Sequence, residues 1–245
     1  MRRWREVAWW LLLLALLPVL VPMALHTRRR ALRLAPAAGA RCGLAGAELS
    51  GTPLRLLVLG ESTVVGVGVG QLQQALVGRL AQALAEREAR PVAWRACGEN
   101  GITAGQANGR LLPQALAEPV DLAVLVFGVN DTTGLTALRH WEGELGAMAE
   151  ALHAAGARVV FSGVPPLQHF AALPWLLRQV LGLRAALLDA RLRRLAAAVG
   201  AGYHPLRLEF SAHYLALDGY HPSAQGYRVW AEDLARALSP VSTRD

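Results

Sequence analysis

The sequence predicts an α/β fold: a parallel sheet of about five strands with helices on both faces, preceded by one transmembrane helix. Three observations carry this expectation. From residue 54 onward, short apolar runs alternate with segments of helical periodicity. The apolar runs are near-continuous, as in strands buried on both faces, and do not alternate with polar residues. Ahead of them, residues 7–25 form a run of 19 residues without a charged or strongly polar side chain.

At about 1.5 Å per residue, that run spans close to the ~30 Å hydrocarbon core of a bilayer. Trp4, Trp9 and Trp10 cluster at one end, where indoles favour the membrane interface. Pro18 and Pro22 would break a helix in water but are tolerated in a membrane span. The run is longer than the roughly 7–15 apolar residues of a signal peptide, and no small-x-small cleavage site follows it. Residues 1–30 therefore read as an uncleaved N-terminal transmembrane anchor. Arginines stand on both sides of it, so charge leaves the orientation of the body open. Residues 31–53, rich in Ala, Gly and Pro, read as a tether.

The body follows as residues 54–240. Residues 54–59 read as the first strand and 71–88 as a helix, with Leu72, Leu76, Leu80 and Leu84 in step. Residues 92–97 form the second strand, and 104–117 the next helix. Residues 121–127 make the clearest buried strand and lead to a helix at 138–155. A fourth strand at 158–164, a helical region at 173–199, a short strand at 203–208 and a helix at 223–238 complete the pattern. The run Gly66-Val67-Gly68-Val69-Gly70 lacks Gly-x-Gly-x-x-Gly spacing and lies beyond the strand end, so it reads as a flexible turn into the helix. The apolar stretch through Phe170, Leu173, Trp175, Leu177, Val180 and Leu181 has two readings. It is an acyl-chain pocket or bilayer-facing surface, or it is a helix face packed on the sheet.

Charge and composition exclude several functions. All 25 basic residues are arginine. Without a lysine there is no Walker-type phosphate loop, no protein-kinase site and no pyridoxal Schiff base. The pI near 10.6 suggests nucleic acid, yet residues 1–41 carry the whole net charge of +7 and the remainder is neutral. The body has no basic excess with which to bind a phosphate backbone, so no nucleic-acid partner is expected. Cys42 and Cys97 are the only cysteines, too few for a disulfide framework or a multi-cysteine zinc site. His26, His140, His153, His169, His204 and His213 show no metal-ligand spacing, and neither metal nor cofactor is expected.

In a parallel sheet, ligands bind outside the carboxyl ends of the strands. Gly60-Glu61-Ser62-Thr63, Gly98-Glu99-Asn100-Gly101, Gly128-Val129-Asn130-Asp131, Pro165-Pro166 and Asp218-Gly219-Tyr220-His221 occupy such positions. A serine hydroxyl becomes a nucleophile when a neighbouring base takes its proton, and histidine titrates near neutrality. The histidine in turn needs an anion to fix its tautomer. Asp218, three residues before His221, can supply it. The backbone N–H groups of Ser62 and Gly101 and the side-chain amide of Asn130 are placed to stabilise a tetrahedral oxyanion. Singly these are ordinary features, since a serine after a strand commonly caps a helix and Asn-Asp marks turns. Their order, each behind a predicted strand, is what marks a site.

Gly60-Glu61-Ser62, Gly101, Gly128-Val129-Asn130-Asp131 and Asp218-Gly219-Tyr220-His221-Pro222 together resemble the four blocks of the SGNH hydrolases, the GDSL-type esterases and lipases. The likeness spans residues 54–238. It implies a three-layer flavodoxin-like fold, Ser62 as nucleophile, His221 as base and Asp218 as its partner. It also implies an oxyanion hole from the Ser62 N–H, the Gly101 N–H and Asn130. Two departures stand out. Glu61 replaces the family's usual aspartate, and the second block is weak. Gly98 or Gly105 could be the donor there, although Gly101-Ile102-Thr103 best fits the family's Gly-x-Thr. The segment 60–64 is not a Gly-x-Ser-x-Gly elbow, because Val64 replaces the second glycine.

The function expected is a membrane-anchored serine ester hydrolase working through an acyl-enzyme. One alternative is an acyltransferase or deacetylase of cell-envelope sugars or lipids using the same triad. Another is a non-catalytic membrane-tethered binding protein. The expected partners are a small-molecule or lipid ester and a membrane, contacted through residues 7–25.

Overall fold

The computed structural model describes residues 4–239. Arg2 and Arg3, counted with the flanking arginines, and residue 240, the expected end of the body, lie outside the described residues. Six strands make one sheet: β1 (Cys42–Ala45), β2 (Leu54–Gly60), β3 (Val92–Gly98), β4 (Leu122–Val126), β5 (Arg158–Ser162) and β6 (Gly202–His204). Their order is β1-β3-β2-β4-β5-β6. All neighbours are parallel except β1, which runs antiparallel along the edge of β3.

The near-continuous apolar strands are explained by two cores. Leu57 and Leu59 of β2, with Ala123 and Leu125 of β4, face one side. There they meet α3 (Ala104–Arg110), α6 (Leu138–Ala154) and α7 (Trp175–Ala198). Leu56, Val58, Val124 and Val126 face the other side, under α2 (Leu76–Glu88) and α8 (Ala224–Leu238). A strand whose successive side chains enter opposite cores is apolar at every position. Each such leucine contributes about 1.5–3 kcal/mol by leaving water.

Several boundaries differ from expectation for local reasons. The helix expected at 71–88 begins as a 3-10 turn, Leu72–Gln74, and restarts as α2 after Ala75 adopts an extended conformation. The helix expected at 104–117 is two, α3 and α4 (Leu112–Ala115), and Pro113 stands in the first turn of the second. Proline suits that place, where its missing N–H has no helical acceptor to lose. β6 stops at His204 because Pro205 cannot donate to the ladder.

The N-terminal region departs more. Residues 31–53, expected as a tether, are held to the body. β1 lies within them, the Ala37 N–H donates to the Val65 carbonyl at 2.9 Å, and the Ala38 N–H donates to that of Gly70 at 3.0 Å. α1 (Trp4–Arg30) is long and apolar enough to cross a membrane, and it lies along α7 with Trp9, Leu13 and Leu20 buried. The Trp9 indole donates to the Val180 carbonyl at 2.9 Å. Arg184, wholly buried in α7, places its guanidinium 4.6 Å from the Trp9 ring and 5.3 Å from the Trp10 ring.

The sheet changes direction of growth at β2: β3 lies on one side and β4 on the other. Such a switch point leaves a crevice at the strands' carboxyl ends, and Gly60 and Val126 both end there.

Candidate active site

Ser62 leaves β2 in a tight turn, and the backbone crowding that sets this turn explains Gly60. A Cβ on Gly60 would stand 2.2 Å from the Val126 carbonyl oxygen, so only glycine lets β2 lie this close to β4 at their shared end. The Ser62 hydroxyl is 2.8 Å from His221 Nε2, and His221 Nδ1 is 2.6 Å from Asp218 Oδ2. These partners select the tautomer in which Nδ1–H donates to the carboxylate and Nε2 accepts from the serine. Asp218 Oδ1 accepts the N–H groups of Tyr220 at 2.9 Å and His221 at 3.0 Å, so the aspartate closes the turn that carries the histidine. Burial raises the Asp218 carboxyl, but the hydrogen bonds from the His221 ring and the two backbone N–H groups outweigh it. The net shift is below the ordinary value, which leaves Asp218 ionised beside the ring.

Asn130 stands in the first turn of α5 (Val129–Thr133). Its side-chain amide donates to the Ile102 carbonyl at 2.9 Å, which fixes it against the Gly101 loop. Gly101 has φ +83° and open space where a Cβ would be. Among the described residues, the N–H groups of Ser62 and Gly101 have no intramolecular acceptor. Of the other glycines weighed for this role, Gly98 lies at the end of β3 against Val64, and Gly105 sits inside α3 under His140.

Glu61 is buried between these parts. One carboxylate oxygen accepts the Gly128 N–H at 2.5 Å, and the other accepts the Asn130 N–H at 3.2 Å. Burial pushes its carboxyl up to about 8, against those backbone donors and with the help of nearby Asp131. Asp131 is itself raised by burial, although it accepts the Ala104 N–H at 3.0 Å. Glu61 thus joins the strand that carries Ser62 to the turn that carries Asn130.

The glycine run at 66–70 does more than turn the chain. Gly68, at φ +104°, would put a Cβ 2.4 Å from the Pro222 carbonyl oxygen. The Ser62 loop therefore presses against the His221 loop, and Tyr227 of α8 donates to the Val67 carbonyl at 2.7 Å. Ser62, Asn130 and His221 border one cavity of about 240 Å³. Its apolar walls include Phe170, Leu208, Phe210 and Tyr220, of which Phe170 and Tyr220 belong to stretches singled out from sequence. Leu208 falls in the part of the expected 203–208 strand that lies beyond the end of β6, and Phe210 follows in irregular chain, where no periodicity marks a residue as inward-facing. Of the apolar stretch, Phe170, Leu173, Leu177, Val180 and Leu181 are buried, whereas Trp175 is 66% exposed. Among the described residues, no group of three or more His, Cys, Asp or Glu is arranged to hold a metal ion.

Residues 58–229 match the GDSL-like lipase/acylhydrolase family. No curated protein sequence matches the chain. Among solved structures, TesA superposes with a TM-score of 0.62 at 23% identity, covering 76% of this chain and 98% of that one. The inhibitor-bound aryl esterase of M. smegmatis gives 0.61 at 17%, with 76% and 98% covered. The lipase/acylhydrolase of Enterococcus faecalis gives 0.59 at 20%, with 76% and 95% covered. At these identities the likenesses show the fold, an SGNH-like α/β sheet. Since the family match takes in most of the chain, from the end of β2 through β6 and into α8, the protein belongs to the GDSL-like lipase/acylhydrolase family and is an ester-hydrolysing enzyme.

Proposed function

We propose that Ser62, His221 and Asp218 are the catalytic triad of a membrane-held serine ester hydrolase. The observation that carries this reading is the unbroken chain Ser62 Oγ, His221 Nε2, His221 Nδ1, Asp218 Oδ2, with contacts of 2.8 and 2.6 Å. His221 takes the hydroxyl proton as Ser62 Oγ attacks the ester carbonyl. Asp218, ionised, stabilises the imidazolium. The oxyanion collects the N–H groups of Ser62 and Gly101 and the Asn130 amide, and each donor lost from such a hole costs about 2.7–4 kcal/mol in the barrier. The imidazolium then protonates the leaving alcohol, which leaves the acyl group on Ser62. Water, deprotonated by the same ring, attacks the acyl-enzyme, and the proton returns to Ser62 as the acid departs.

α1 supports the membrane part of the reading. Its side turned away from α7 exposes Val7, Leu11 and Leu14, and Arg28, Arg29 and Arg30 end it. Apolar surface of that extent beside basic residues suits a bilayer with anionic headgroups.

Ser62→Ala is expected to abolish hydrolysis of p-nitrophenyl butyrate while the circular dichroism spectrum is retained. Turnover in that variant within tenfold of the unmodified protein would remove Ser62 from the role. Adding acceptor alcohols to the same assay separates hydrolysis from acyl transfer, because only transfer yields the new ester.

A further inference from the structure

A second, larger space adjoins the cavity at Ser62, and its outer wall lies outside the segment that matches the family. It is a groove of about 830 Å³ between α1 and the body, within the roughly 300–1,000 Å³ usual for ligand sites. Leu17, Val21 and Ala24 form its outer wall, and Leu173, Leu177 and Leu181 form the inner one. At one end it reaches Gly101, Asn130, Thr133 and Tyr220. Asn130, Thr133 and Tyr220 also border the cavity that holds Ser62 and His221, so the two spaces meet at the oxyanion donors.

The outer wall is seated by specific contacts. Besides the Trp9 hydrogen bond to α7 and the Arg184 guanidinium against two indoles, Arg191 of α7 pairs with Glu6 of α1 at 3.1 Å. The far end of the helix is tied as well. Only residues 31–36 separate α1 from Ala37, whose N–H is bonded to Val65. Six residues reach at most about 20 Å, and Val65 lies just beyond Ser62 on the nucleophile loop. The C-terminal end of α1 is thereby confined to the rim of the active site.

The groove is lined mainly by aliphatic side chains, and its polar lining comes from Thr103, Gln106, Asn130 and Thr133 of the body and from Thr27 and Arg28 of α1. That matches an aliphatic chain whose carbonyl sits at Ser62. Building on the triad reading above, we propose that the groove is the acyl-chain subsite for long-chain fatty acyl esters, with α1 supplying its outer wall. The helix then has two faces with two tasks. One shapes the subsite, and the other, bearing the exposed Leu11 and Leu14, meets the lipid from which the substrate is drawn.

The test uses the full chain in detergent micelles and compares kcat/KM for p-nitrophenyl palmitate with that for p-nitrophenyl acetate. Ala24→Trp, or Val21→Trp should the first variant express poorly, fills the groove and is expected to lower the palmitate-to-acetate ratio at least tenfold. Leu14→Trp, on the exposed side of the same helix, is expected to leave that ratio within twofold. An unchanged ratio in the groove variants overturns the proposal, as does an equal fall in Leu14→Trp, which would trace the effect to micelle partitioning. If the unmodified protein cleaves neither ester, or Ser62→Ala still cleaves both, the triad reading itself fails and takes the subsite with it.

Discussion

At the scale of single residues, Glu61 is the most informative departure from the family pattern. Where an aspartate is usual, the longer side chain stays buried and accepts the N–H groups of Gly128 and Asn130. Glu61→Gln puts an amide donor against one of those N–H groups and is expected to destabilise the fold by about 1–3 kcal/mol. It should also lower kcat, since the Asn130 turn loses its link to the strand that carries Ser62. The charge state adds a second signature. The folded carboxyl titrates near 8 against an ordinary 4.5, so between those values the native state holds a proton that the unfolded chain has lost. Stability from this group is therefore greatest below about pH 4.5 and falls as pH rises toward 8. Urea unfolding at pH 5 and pH 8 checks this. The unmodified protein should lose at least about 1 kcal/mol more over that interval than Glu61→Gln, and equal losses would contradict the assignment. The sequence reveals Glu61 as a departure but not its burial or its partners, because those come from β4 and α5, more than sixty residues away.

At the scale of elements, the strands and helices of the body are legible from periodicity, whereas the loops that build the site are legible only through their polar residues. Ser62 and Asn130 stand out because polar groups at strand ends require a reason, and Asp218 and His221 through their spacing ahead of the last helix, since β6 stops well before them at His204. Gly68 does not, since a run of alternating glycine and valine looks like a loose turn. Its actual role is close approach, with a left-handed φ and a Pro222 carbonyl where a side chain would sit. Gly68→Ala meets both the steric contact and the backbone penalty, and is expected to cost more than about 2 kcal/mol. It should depress turnover by shifting Ser62 against His221. Gly70→Ala, with open space and no left-handed backbone, is expected to change stability by less than about 0.5 kcal/mol. Thermal unfolding of the pair separates a packing role from mere flexibility, which predicts similar small effects at both sites. β1 was hidden for a related reason. Four residues on an exposed edge need only backbone pairing with β3, and neither CGLA nor its flanks carry an apolar pattern.

At the scale of the whole molecule, the charge that raises the pI has a location. The net +7 falls within residues 1–41, and the arginines at 28–30 gather in the last turn of α1, where cations complement the helix dipole. The hydropathy of residues 7–25 is sufficient to announce an apolar helix. It cannot announce the docking on α7, because a helix apolar on all sides has no face that its sequence singles out. Docking is decided by Trp9, Glu6 and their partners Val180, Arg184 and Arg191, side chains about 170–185 positions away. The same contacts bring α1 beside Gly101, Asn130 and Tyr220 at the carboxyl edge of the sheet.

The proposed hydrolysis rests on Ser62 as a nucleophile activated by His221. The most direct measurement is mass-spectrometric mapping after treatment of the full chain with a fluorophosphonate, which phosphonylates an activated serine and releases fluoride. A single adduct on the peptide containing Ser62, lost in His221→Ala, is the predicted result. No adduct, or an adduct on another serine while ester turnover proceeds, would contradict the account.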